Sequence, residues 1–204
     1  MKELSLEDGK RLVKLSRSII ADYLRSSLDR DLYRKEISKI VDEKLGVFVT
    51  LRYFSDRSLR GCIGYPFPSD SVAELLIDAS IAAATEDPRF MPLSYKELDK
   101  INVEVSLLSE MQEIDKSNIS REVVIGKDGL YLQYLYRSAL FLPEVPIEEH
   151  WNLNQYLENL CYKAGLPADT WKKEKAKLFR FQTIIFAEIK PNGAVKRINL
   201  DELR

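Results

Sequence analysis

Two β-rich runs, Val47–Phe54 and Leu59–Gly64, are separated only by the turn residues Ser55-Asp56-Arg57-Ser58. A crossover between parallel strands needs a dozen or more residues, so these two must pair antiparallel. The same economy recurs downstream. Pro191-Asn192-Gly193 turns a late strand back into Ala194–Ile198. Val123–Ile125 and Leu130–Tyr136 flank Gly126-Lys127-Asp128-Gly129, where Asp-Gly signals a hairpin. Ala139–Leu142 reads as one more short strand. Ile101, Val103, Val105 and Leu107 alternate with Asn102, Glu104 and Ser106, the pattern of a half-buried strand, and Phe179, Phe181, Thr183 and Ile185 read as one late strand.

Helices fill the remaining stretches. Ser5 and Asp8 form a capping arrangement before Leu12, Leu15, Ile19 and Tyr23, which predicts a helix over about 5–27. Residues 31–45 carry a shorter one, ended by Gly46. A third runs over about 70–85 with Asp70 as its cap and Pro88 beyond its end. Ser94 and Glu97 make a capping box for a short helical turn. Leu153, Tyr156, Leu157, Leu160, Cys161 and Ala164 lie on one helical stripe, with Gly165 as C-cap, and a short helix is expected over Ala168–Lys175. Strands joined by tight turns, with helices between the groups, give an α+β class with largely antiparallel sheets.

Charge and composition exclude several functions. Of 204 residues, 31 are Lys or Arg and 32 are Asp or Glu, for a net charge of −1. That balance argues against a general nucleic-acid binder. The basic run Lys172, Lys173, Lys175, Lys177 and Arg180 reads first as a solvated surface. Two Cys, Cys62 and Cys161, and one His, His150, lack the spacing of a zinc site, so no metal and no cofactor is assigned. No run has the length of a membrane span and the first residues lack a leader's apolar stretch, which points to a cytoplasmic protein. Cys161 belongs to a helix stripe and is expected in the core. Glu148 and Glu149, ahead of Trp151, are either a helix-start charge or an acid–base pair.

Leu59-Arg60-Gly61-Cys62-Ile63-Gly64 holds the chemistry. Glycines on both sides of the thiol permit unusual backbone angles and leave room beside it. Arg60 can hold an anion or a nearby carboxylate and favour thiolate at Cys62. Asp87 and Arg89, around Pro88, either line the same cleft or form an ion pair that ties down their loop, Asp87 orienting Arg60 or Arg89.

This hexapeptide is the signature of the AMMECR-domain family, which the chain resembles over nearly its whole length. Gly46-Val47-Phe48-Val49-Thr50-Leu51 before it, Asp87-Pro88-Arg89-Phe90 after it, Gly126-Lys127-Asp128-Gly129-Leu130, Phe141-Leu142-Pro143-Glu144-Val145 with Glu148 and Trp151, and Leu160–Pro167 agree with the prokaryotic form. Tyr65 departs from the Thr usual there. The resemblance implies one AMMECR domain over 1–204, with a larger and a smaller lobe whose boundary is not readable from the sequence. It supplies no reaction, and whether the chain is an enzyme stays open. It implies Memo-like and radical-SAM partner proteins in a modification pathway. Any iron–sulfur cluster would belong to the partner, since a cluster takes about four Cys ligands. The expected site comprises Cys62 as candidate catalytic residue, with Arg60, Gly61, Gly64, Asp87, Arg89 and Glu148 as binding residues for a small molecule or peptide. The alternatives are a non-enzymatic peptide-binding module, or a nucleic-acid-associated regulator using the Lys172–Arg180 face.

Overall fold

The computed structural model describes residues 4–199. In chain order the elements are α1 (Leu6–Leu24), α2 (Arg30–Ser38), β1 (Gly46–Tyr53), β2 (Leu59–Tyr65), α3 (Val72–Thr85), β3 (Ile101–Leu108), β4 (Gln112–Glu113), α4 (Ile119–Glu122), β5 (Gly129–Tyr134), β6 (Arg137–Phe141), α5 (Val145–Glu148), α6 (Leu153–Lys163), β7 (Ala176–Phe181), β8 (Thr183–Glu188) and β9 (Val195–Ile198). The class is α+β, built on two sheets with helices packed against them. No helix among the described residues is long and apolar enough to cross a membrane.

The chain divides into two compact units. The first holds the residues up to Leu108 together with Ile184–Ile198. Its sheet runs β2-β1-β3-β8-β9, so β2 is an edge strand. Val47, Val49 and Leu51 of β1 are fully buried on the face covered by α3. α1 starts at the Ser5 capping box and lays Leu12, Val13, Ile19 and Ile20 into this core. It ends at Leu24, short of the expected 27, because Arg25 closes its last turn and Ser26 goes left-handed. α2 is also shorter than expected, although Ile40, Val41 and Leu45 beyond it remain buried. Ser71 caps α3, whereas Asp70 bonds the Ser71 amide. α3 is buried nearly all round because the sheet covers one side and α1 and α2 the other. Its Ser80 meets Ser16 of α1 at 2.8 Å.

Strand β3 departs from the half-buried expectation. Asn102 and Ser106 are as buried as the apolar positions between them, and Glu104 is intermediate. Glu188 at the end of β8 is 1% exposed. It accepts from Arg17 Nε at 2.6 Å and Nη2 at 2.5 Å and from the Val103 amide at 2.9 Å.

The second unit contains Ser109–Thr183, with a sheet ordered β4-β7-β5-β6. Tyr156, Leu157, Leu160 and Cys161 of α6 pack with Leu130, Leu132 and Leu178. Cys161 is fully buried, as its stripe position predicts, and Gly165 past the helix takes φ +68°. Three expectations are corrected here. The hairpin placed at Asp128-Gly129 does not form: Asp128 is buried and its carboxylate accepts the Val124 amide at 2.8 Å, closing a loop. The true hairpin joins β5 to β6 through Leu135-Tyr136. The helix over 168–175 is a single 3-10 turn, Thr170–Lys172. The late strand is two strands in different sheets, broken at Gln182, whose backbone instead pairs with Ser109.

Candidate functional site

The hairpin β1–β2 contains a bulge. Arg52 faces Leu59, but Leu51 faces Gly61, so Arg60 has no partner on β1. The extra residue shifts the register by one and sets Cys62 opposite Thr50. Thr50 also faces Glu104 of β3, so Cys62, Thr50 and Glu104 form a cross-strand row. In that row the Thr50 hydroxyl donates to Cys62 Sγ at 3.3 Å. Cys62 is partly exposed.

Among the described residues the outer edge of β2 carries no neighbouring strand, and side chains stand in for one. The Cys62 amide donates to Asp87 Oδ2 at 2.8 Å, and Arg89 Nη2 lies 3.4 Å from the Cys62 carbonyl. Asp87 is 4% exposed and clamps Arg89 through Nε at 2.9 Å and Nη2 at 2.6 Å, while also accepting the Arg89 amide at 3.1 Å. The Arg89 fork, aided by the Cys62 and Arg89 amides, holds the Asp87 carboxyl down to a pKa of about 2. Arg89 is raised in turn, first by the bond to Asp87 and in smaller part by the charge of Cys62.

Of the two roles expected of Arg60, holding an external anion or a nearby carboxylate, the structure shows the carboxylate, that of Glu97. Arg60 is 5% exposed, its Nε contacts Glu97 at 3.3 Å and its Nη2 donates to the Met91 carbonyl at 2.9 Å. Its guanidinium and that of Arg89 both lie near the Phe90 ring, at 5.8 and 5.6 Å from the centroid. The bulge thus turns Arg60 into a tie between β2 and the segment after α3.

The glycines also serve the fold. A Cβ on Gly61 would overlap the Ala83 carbonyl of α3, and one on Gly64 would overlap the Phe48 ring and the Val47 carbonyl. The room expected beside the thiol is occupied by the protein itself. Both glycines have ordinary negative φ, so close approach and not backbone conformation demands them.

Cys62, Asp87 and Arg89 are therefore brought together, whereas Gly61 packs against α3, Gly64 against Phe48, and Arg60 is engaged by Glu97 and Met91. Glu148 belongs to the second unit, exposed at the end of α5. Thr50 and Glu104 escaped the sequence reading, because Thr50 meets Cys62 only through the bulge and Glu104 faces Thr50 only through the pairing of β1 with β3. Among the described residues no group of His, Cys, Asp and Glu could hold a metal ion. Lys172, Lys173, Lys175 and Lys177 are exposed, whereas Arg180 is held by the Glu122 carbonyl.

The family profile for AMMECR1 matches residues 13–186. A protein of Methanocella arvoryzae is 44% identical, over 94% of this chain and 96% of its own length. One from Methanocaldococcus jannaschii is 42% identical, over 96% of this chain and 97% of its own. The crystal structure of an uncharacterised protein from Pyrococcus horikoshii superposes with a TM-score of 0.88 at 38% identity, covering 96% of this chain and 98% of that one. On that span of match, this chain belongs to the AMMECR1 family.

Proposed function

We propose that Cys62 with Thr50, Asp87 and Arg89 forms a ligand-binding or catalytic cleft in which the Cys62 sulfur is the reacting or ligand-contacting atom. One observation carries this reading. A partly exposed thiol receives a hydroxyl donor from Thr50 while both polar groups of its own peptide are held by Asp87 and Arg89. A donor aimed at sulfur favours thiolate, the nucleophilic form, and a pinned peptide keeps the nucleophile in place. Family membership supports a role in a modification pathway alongside Memo-like and radical-SAM proteins, with the cluster chemistry on the partner.

The packing of Gly61 and Gly64 favours a second reading, a non-enzymatic module that binds a peptide or partner protein, with the hexapeptide serving architecture. The experiment is the pH dependence of Cys62 alkylation on native protein, with Cys62→Ala as the blank. Rapid labelling with an apparent pKa well below about 8.5 supports the reactive cleft. Labelling only after unfolding overturns it and leaves the architectural reading.

A further inference from the structure

We propose that the ligand of this cleft carries an oxyanion, a carboxylate or phosphate, and that Arg89 binds it beside Cys62. The inference rests on the cleft reading above and extends it to the chemistry of the ligand. Three features of Arg89 carry it. Its side chain is 54% exposed, in contrast to Arg60, which is buried and engaged by Glu97 and Met91. Its inner edge, Nε and Nη2, is locked by Asp87 and the Cys62 carbonyl, so the guanidinium is already oriented before any ligand arrives. Its Nη1 makes no hydrogen bond among the described residues and is left for a ligand.

Asp87 does not cancel the attraction. Its carboxylate is buried and saturated by the Cys62 amide, the Arg89 amide and the Arg89 fork, so an arriving anion meets the guanidinium first. An arginine held by a buried carboxylate is a pre-organised oxyanion donor whose ordering cost has been met during folding. The contact to the Cys62 carbonyl places this donor beside the thiol-bearing residue.

Iodoacetate and iodoacetamide test this directly. In both, the thiolate forms a C–S bond as the C–I bond breaks and iodide leaves, and the thiol proton has gone to solvent. They differ in charge, and iodoacetate presents a carboxylate one carbon from the electrophile. The expected result is an iodoacetate-to-iodoacetamide rate ratio about ten-fold above that of glutathione, falling about five-fold or more in Arg89→Gln; the ratio cancels any change in thiol reactivity common to both reagents. In the wild type the ratio should also fall as sodium chloride is raised, a readout that stands if Arg89→Gln does not fold. Acetate and inorganic phosphate at constant ionic strength distinguish the two oxyanions, the better-fitting one slowing iodoacetate more. A ratio equal to that of glutathione, unmoved by Arg89→Gln and by salt, overturns the oxyanion site while leaving a reactive Cys62 standing. Failure of both reagents to label folded protein overturns the oxyanion site and the cleft together.

Discussion

The Asp87 carboxylate accepts the backbone amide of Cys62 at 2.8 Å. An edge strand normally leaves such groups to water or to another chain. Here one buried side chain both binds the edge of β2 and fixes the arginine that reaches the Cys62 carbonyl. The stability of this corner and its chemistry consequently depend on the same group, and they can be separated by pH.

Asp87 titrates lower in the folded chain, at about 2, than the ordinary aspartate value of about 3.9. Its contribution is therefore complete above about pH 4 and is lost as the pH falls through about 2. Asp87→Asn should cost about 1–2 kcal/mol at neutral pH, with Arg89's exposure keeping the figure at the low end. Urea denaturation of both proteins from pH 7 to pH 2 should show the gap closing at the acid end. A gap that persists at pH 2 means the loss is steric.

Thr50→Val keeps the shape of the residue opposite Cys62 and removes its hydroxyl. The apparent pKa of Cys62 alkylation should rise by about one unit, slowing labelling near neutral pH by about ten-fold. Cys161, whose thiol is pushed up by burial, should stay unlabelled until the protein unfolds. Mass spectrometry of the labelled peptides checks both, and an unchanged Cys62 profile means the hydroxyl does not tune the sulfur.

Gly61→Ala drives a methyl into the Ala83 carbonyl, a backbone atom of α3 that cannot rotate aside. A loss of about 1–3 kcal/mol is expected in chemical denaturation. A neutral substitution would mean that β2 and α3 can separate at little cost.

Arg17 and Glu188 form a buried pair, with Arg17 also donating to the carbonyls of Leu98 and Ile101. Removing one partner leaves an uncompensated buried charge. Arg17→Met and Glu188→Gln should each cost about 3–5 kcal/mol, and the double variant less than their sum. Additive losses in a double-mutant cycle would show that the two side chains do not interact.

Local patterns decided much of this protein in advance. The capping boxes at Ser5 and Ser94, the stripe through Cys161 and the left-handed Gly165 just past the cap of α6 are all set by residues within a few positions of one another. Tight turns made the pairs β1–β2 and β8–β9 antiparallel, and the hexapeptide with its flanking motifs carried the family. Other features depend on groups distant in sequence. Gln182 ends one sheet and begins another because Ser109 supplies its backbone partners. Asp128 cannot head a hairpin once Val124 has claimed its carboxylate. The site depends most on tertiary structure. A strand places successive side chains on opposite faces, so a single bulged residue, Arg60, determines which face receives Cys62. That one-residue shift brings Thr50 to the thiol, and only the fold of the segment after α3 buries Arg60 and leaves Arg89 half-exposed beside it.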